Sequence, residues 1–359
     1  MKKTMKILII TLLVIAAISA VFIVSAAISG QGVIEKFYDE NGRELDGSVS
    51  ERVNIKIGGR KNGMIIRGKS TDNPVLLFIS GGPGVPQYWL NQYYDNRIED
   101  YFTVCWWDYY GEGLSYSSQL KPGDITLDEL EKNAVEVAEY LKKRFSKDRI
   151  YLMAHSGGTR LGLSIAQDYP ENFYCYFAMS QAAGERHIYG YEYLKNYFEN
   201  ENNKKGLDLI NRHVREENGQ LTVYNDKNIE SDWEKALLMS GCATTRKMRS
   251  DALEIFFPQM YSHCYTLTEK INFWKGKKLC QNSAYSDVHV SIENEPPVSI
   301  PVYFLSGRYD YTCPVNAVED LYKNIDAPVK EMHIFENSAH SPLWEENEAV
   351  LEVMKSYVK

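Results

Sequence analysis

Three residues that are far apart in the chain have the types needed to attack an acyl group: Ser156, Asp310 and His340. A serine hydroxyl is a poor nucleophile until a base takes its proton. That base needs a third group to orient it and to stabilise its charged form. Ser156 stands between an apolar run, Ile150-Tyr-Leu-Met-Ala-His, and a helical run, Thr159-Arg-Leu-Gly-Leu-Ser-Ile-Ala. Small residues flank it two places away on each side, Ala154 and Gly158. A turn this tight pushes a serine hydroxyl out of the top of a sheet, as in a nucleophile elbow. The pattern departs from G-x-S-x-G at Ala154, which is expected to crowd the strand–helix contact slightly.

The base and its orienting acid should lie on loops at the carboxyl ends of strands, where functional groups collect in a doubly wound sheet. Asp310 follows the apolar run Val302-Tyr-Phe-Leu-Ser, and His340 follows Glu331-Met-His-Ile-Phe. The other carboxylates nearby are less well placed: Asp320 falls in a predicted helix, and Asp287 and Asp326 in irregular stretches. Of the seven histidines, His340 alone sits on a loop directly after a late core strand. His155 is in the elbow, but its side chain should point away from Ser156. The plain reading of Asp310 and His340 is a solvated carboxylate and a satisfied loop histidine. Against it stands the chain order Ser156, Asp310, His340, which is the order this architecture demands. The oxyanion of a tetrahedral intermediate also needs donors. Gly157 would supply the N–H that follows the nucleophile, and Gly81 or Gly82 a second, from the loop Ser80-Gly-Gly-Pro-Gly after an early buried strand.

The elements that must position these residues can be read around them. Val53-Asn-Ile-Lys-Ile and Met64-Ile-Ile-Arg predict antiparallel strands within 32–70, with turn signals at Asn41-Gly42 and Gly58-Gly59. Val75–Ile79, Tyr101–Trp107 and Phe173–Met179 predict buried strands. Thr126 with Glu129 predicts a capping box that opens a helix reaching Phe145. Pro170 closes the helix after the elbow, which is expected to end near Asp168. Strand and helix alternate up to about Gln181, so the sheet should be mainly parallel and covered on both faces. From 181 to 297 the chain is expected to be helical, polar and aromatic, and it then returns to two strands and two helices, Pro314–Lys323 and Glu345–Tyr357. The expected organisation is therefore an α/β core in two parts, 31–180 and 298–359, with a helical cap inserted at 181–297. An N-terminal segment, 1–30, precedes it.

That segment places Lys2, Lys3 and Lys6 before an apolar run from Ile7 to Ser29. As a helix the run would span roughly 35 Å at about 1.5 Å per residue. This favours an uncleaved transmembrane anchor over a signal peptide, although Ser25-Ala26-Ala27 would suit cleavage. The positive-inside rule then puts the lysines in the cytoplasm and the rest of the chain outside, held at the cell membrane or, after cleavage, secreted. Over 359 residues the net charge is −8, which argues against a nucleic-acid partner. No Gly-rich phosphate loop opens the first core helix, which argues against nucleotide binding. None of the six cysteines forms C-x-x-C, so no metal site is expected, and no cofactor. Cys105 and Cys175 fall in predicted core strands as buried thiols. Cys242, Cys264 and Cys280 are close enough in sequence for one disulfide, and an external location would permit it.

Taken together, these motifs resemble the α/β-hydrolase superfamily, and more closely its prolyl aminopeptidase (proline iminopeptidase) family of serine peptidases. That family's H-G-G-P-G loop is matched by Ser80-Gly-Gly-Pro-Gly, and its D-Q-R-G-x-G-x-S segment by Asp108-Tyr-Tyr-Gly-Glu-Gly-Leu-Ser. Its G-G-S-W-G elbow is matched by Ala154-His-Ser-Gly-Gly, its G-R-x-D loop by Gly307-Arg-Tyr-Asp, and its final G-H by Ala339-His340. Gly157 stands where the family has tryptophan and is expected to open the site beside the nucleophile. The resemblance implies an α/β-hydrolase fold and an acyl-enzyme mechanism. It also implies a small peptide substrate with a free N-terminus, under an aromatic cap that excludes folded proteins. Family members hold that N-terminus with acidic cap residues, and Glu185 is a possible equivalent; a helix-start carboxylate is the alternative. An esterase or amidase acting on small esters or lipids, and a non-catalytic binding module, are the rival readings. The oligomeric state is open.

Overall fold

The computed structural model describes residues 2–224 and 227–358; the outermost residues of the expected segments, 1 and 359, lie outside it. In chain order the elements begin with helix α1 (Lys2–Ser29), strands β1 (Val49–Ile57), β2 (Arg60–Gly68), β3 (Val75–Ile79) and β4 (Thr103–Asp108), and helix α2 (Leu127–Phe145). The elbow follows as β5 (Ile150–His155), a single tight turn at Ser156–Gly158, and α3 (Thr159–Asp168), and then comes β6 (Phe173–Met179). Next come α4 (Arg186–Asn200), α5 (Lys204–Asn211), a hairpin of β7 (Val214–Glu217) and β8 (Gln220–Val223), and α6 (Ile229–Ser240). A wide helical turn at Ala252–Phe256 leads into α7 (Phe257–Tyr261) and then α8 (Leu267–Gln281). The chain closes with β9 (Val302–Gly307), α9 (Val315–Asn324), β10 (Lys330–Phe335), α10 (Pro342–Glu345) and α11 (Asn347–Ser356).

Eight strands form one sheet in the order β1-β2-β4-β3-β5-β6-β9-β10, in which β2 alone runs against the rest. The chain leaves β3 towards β4 on one side and returns to pair β5 on the other. The crevice between the carboxyl ends of β3 and β5 is thus a topological switch point, where open α/β sheets place their sites. Every residue of β3 and β5 is buried, as their continuous apolar runs require. Alternate side chains feed two cores. Val75, Leu77, Ile79, Leu152 and Ala154 meet α2, α3 and α9. Leu76, Phe78, Tyr151 and Met153 meet α10 and α11. A third core, around Leu194, Phe198, Ile210, Trp233 and Leu237, belongs to the segment inserted between β6 and β9.

Four expectations change. The inserted segment is not purely helical, because β7 and β8 pair across Asn218-Gly219. The stretch 32–48 forms one isolated bridge, Tyr38 to Glu44, rather than strands. The capping box at α2 is half formed. Thr126 accepts from the Glu129 N–H, but the Glu129 carboxylate pairs with Arg60, a stronger charged partner brought in by β2. All six cysteines are buried free thiols. Cys242, Cys264 and Cys280 sit in three different cores, which is why no two of them meet.

Candidate active site

The elbow is backbone geometry first. Ser156 has φ 55°, the left-handed region that a residue with a Cβ enters only when its surroundings force it. The close approach of α3 to β5 supplies that force. A Cβ on Gly162 would come within 2.6 Å of the Ala154 Cβ, so it is Gly162 that makes room for the alanine in the elbow. Gly157 acts differently from expectation. A Cβ there would lie 2.2 Å from the Gly82 carbonyl oxygen, and the glycine is buried. Its lack of a side chain therefore brings the Ser80–Gly84 loop against the elbow and does not open a space.

Three side chains meet at this turn. The Ser156 hydroxyl donates to His340 Nε2 at 2.8 Å. His340 Nδ1 donates to both Asp310 oxygens, at 3.1 and 3.0 Å. Asp310 is fully buried, and the N–H groups of Thr312 and Cys313 donate to its Oδ1 at 3.1 and 2.8 Å. A hydroxyl held on an imidazole, which is held in turn on a buried carboxylate, can move a proton from oxygen to nitrogen without moving heavy atoms. The Cys313 thiol also faces Ser156. Burial pushes it above its ordinary value, so it stays a thiol and is no rival nucleophile.

The donors for an oxyanion sort themselves by what they already bind. Gly81 N–H donates to Gln87 Oε1 at 3.1 Å and is committed there. Gly82 and Gly157 remain as candidate donors. Gly157 lies in the first turn after β5, where backbone N–H groups have no partner within the helix. The loop is braced from behind: the Tyr109 hydroxyl accepts from Gly84 N–H, and Glu112 accepts from Tyr109 N–H at 3.1 Å. Asp108 accepts from Leu114 N–H at 2.7 Å. Burial pushes Asp108 up to about 7, and burial together with Asp108 holds Glu112 well above the carboxylate range.

Two further parts of the site have no signature in the local sequence. Gln87 Nε2 donates to His155 Nδ1 at 2.6 Å, and His155 Nε2 donates to the His340 carbonyl at 2.7 Å. The His155 ring lies 4.8 Å from the His340 ring, and its two bonds tie the Ser80–Gly84 loop, through Gln87, to the backbone of His340. Burial and the neighbouring His340 pull it well below the ordinary imidazole value, which keeps the neutral tautomer those two bonds need. Glu345 Oε2 accepts from Ala339 N–H at 2.9 Å and Ser341 N–H at 3.4 Å, on either side of His340. Its Oε1 accepts from Arg246 N–H at 2.7 Å, in the inserted segment.

Ser156, Gly82 and Gly157 line a cavity of about 650 Å³ roofed by the inserted segment. Glu185, Glu230, Glu234 and Asp287 line it too, with Arg160 and Arg186. Arg186 pairs with Glu230 and, at 3.4 Å, with Glu234. Glu185 caps α4, accepting from His187 N–H at 3.2 Å and His187 Nδ1 at 2.6 Å; the bond to His187 lowers its carboxyl below the ordinary value.

Comparison with known proteins gives a family and several relatives. The sequence profile described as the alpha/beta hydrolase fold matches residues 74–347. The chain is 29% identical over 309 residues to a protein named probable aminopeptidase YbaC from Bacillus subtilis, covering 83% of this chain and 93% of that one. It is 23% identical over 303 residues to a protein named proline iminopeptidase from Saccharolobus solfataricus, covering 80% of this chain and 85% of that one. Among solved structures, the proline iminopeptidase of Mycobacterium smegmatis superposes with a TM-score of 0.60 at 15% identity, covering 86% of this chain and 97% of the other.

Proposed function

The chain belongs to the α/β-hydrolase fold family, and from that premise we propose that it is a serine hydrolase working through an acyl-enzyme, an aminopeptidase of the proline iminopeptidase type on small peptides. The observation that carries the reading is the hydrogen-bonded line from Ser156 through His340 to Asp310, opening on one cavity. Ser156 Oγ attacks the substrate carbonyl carbon while its proton passes to His340 Nε2. Asp310 stabilises the imidazolium. Gly82 and Gly157 N–H groups hold the oxyanion. His340 then protonates the leaving amine, and water hydrolyses the acyl-enzyme by the same steps in reverse.

Charge supports a peptide N-terminus as the group recognised. Four carboxylates and two guanidinium groups line the cavity, which leaves an acidic surplus for an ammonium. The relatives named as aminopeptidases support the same substrate class. The test is a panel of arylamides with free and acetylated N-termini, set beside short acyl esters. The expected result is turnover of free-amine arylamides, prolyl ones among them, with Ser156→Ala slower by about 10³-fold or more. Hydrolysis of acyl esters without any arylamide turnover would assign the site to an esterase. A fluorophosphonate that labels wild type and Ser156→Ala equally would remove the catalytic reading altogether.

A further inference from the structure

The inserted segment carries apolar side chains on its outer surface next to α1. Leu253 is 67% exposed, Tyr261 40% and Phe257 38%. Phe22 of α1 packs among Phe256, Phe257 and Tyr261, with ring centroids 5.9, 5.7 and 5.8 Å away. The end of α1 is fastened to the same segment. Lys270 Nζ donates to the Ala26 carbonyl at 2.9 Å and to the Ser29 hydroxyl at 3.1 Å, and Gly32 N–H donates to the His263 carbonyl at 2.9 Å.

The depth of Phe22 follows from helix geometry. α1 offers a span of 26 residues from Thr4 to Ser29, all outward-facing in its apolar window. A hydrocarbon layer of about 30 Å takes roughly 20 residues of helix. Any stretch of that length within 4–29 contains residue 22, so Phe22 lies inside the layer wherever the span settles. Side chains in ring contact with it lie at the same level.

We propose that Ala252–Tyr261 is seated in the apolar margin of the lipid bilayer beside α1, so that the catalytic domain is held on the membrane by two adjoining contacts. The occupant of this surface is lipid, because two of its exposed side chains, Phe257 and Tyr261, touch Phe22 on the apolar helix α1. Aromatic and long aliphatic side chains are those that partition into this zone. The inference rests on α1 being a retained anchor and not on the choice of substrate.

The test uses the full chain in phosphatidylcholine–phosphatidylglycerol nanodiscs. Leu253→Cys, Phe257→Cys and, as a control on the exposed β7–β8 turn, Asn218→Cys are each labelled with an environment-sensitive NBD fluorophore. The native thiols are all buried and leave the new one to react. Fluorophosphonate labelling of Ser156 in each variant checks the fold independently. The expected result is blue-shifted emission at 253 and 257, quenched several-fold more by acyl-chain-brominated lipids than at 218. Leu253 is the more exposed and decides the matter if Phe257→Cys disturbs the packing. Quenching at 253 no stronger than at 218 overturns the proposal. So does a blue shift without quenching, which means cover by protein, or an intact mass showing a chain that begins after Ala27.

Discussion

His155 is the residue whose side chain joins the two halves of the site. One ring nitrogen serves Gln87 and through it Gly81; the other serves the His340 carbonyl. Removing it leaves the buried Gln87 amide donor without its partner and leaves the His340 carbonyl to the Ser180 hydroxyl at 3.0 Å, and a buried polar group left unpaired costs about 1–3 kcal/mol. His155→Phe is therefore expected to lower kcat roughly 10- to 100-fold with KM little changed, because a shift of about 1 Å at the reacting groups is worth that much. His155→Gln keeps a donor for the His340 carbonyl and should recover part of the loss. Equal kcat in all three proteins would mean that this bridge positions nothing. A second residue-scale consequence concerns Glu112, buried behind the Ser80–Gly84 loop and raised above its ordinary value of 4.5. The folded state keeps this proton at pH values where the unfolded chain has lost it. Stability from this group therefore falls as pH rises from about 4.5 towards its folded value. Glu112→Gln imitates the protonated form, so its Tm should decline less than wild type between acid and mildly alkaline pH. Parallel declines in thermal melts would refute this.

At the scale of elements, the histidine loop depends on α10. Glu345 receives N–H groups from both neighbours of His340 and from Arg246 of the inserted segment. The Arg246 guanidinium lies 3.7 Å over the Tyr309 ring, beside Asp310. One short helix thus couples the inserted segment to two of the three candidate catalytic loops. Glu345→Ala orphans three donors. It is expected to cut kcat by about tenfold or more while lowering Tm by only a few degrees, with Glu345→Gln intermediate. A kcat that stays at the wild-type value while Tm falls would confine Glu345 to stability. This coupling shows where sequence reading stops. The elbow was legible because its determinants are local: an apolar run, a serine between small residues, then a helical period. Asp310 and His340 were legible because each follows such a run. Gln87 and Glu345 have no local signature, and their partners are 68 and 6 residues away and set by folding. Glu129 failed as a cap for the same reason, since Arg60 reaches it from 69 residues away. Gly157 was misread because nothing nearby in sequence tells that the Gly82 carbonyl fills its space.

At the scale of the whole molecule, α1 and the inserted segment act as one body, and Lys270 is the residue that shows it. Its side chain is inaccessible to solvent, and its ammonium contacts acceptors at the end of α1. Burial lowers it from 10.5 to about 8. A lysine lowered on folding binds fewer protons in the folded state than in the unfolded one between those two values. Stability therefore rises as pH climbs from about 8 to 10.5, and below about 8 the full cost of the buried charge is present. Lys270→Met removes the charge and keeps most of the volume. Replacing a buried charge with an apolar side chain is often neutral or stabilising. In the full chain in detergent or nanodiscs, the variant is expected to melt no lower than wild type at pH 7. The gap should shrink as the pH is raised towards 10.5, because wild type gains what the variant already has. A variant that melts well below wild type at pH 7 would mean that the two hydrogen bonds to α1 outweigh the desolvation of the ammonium. Helix α1 would then be latched to the inserted segment by Lys270, not merely packed against it through Phe22.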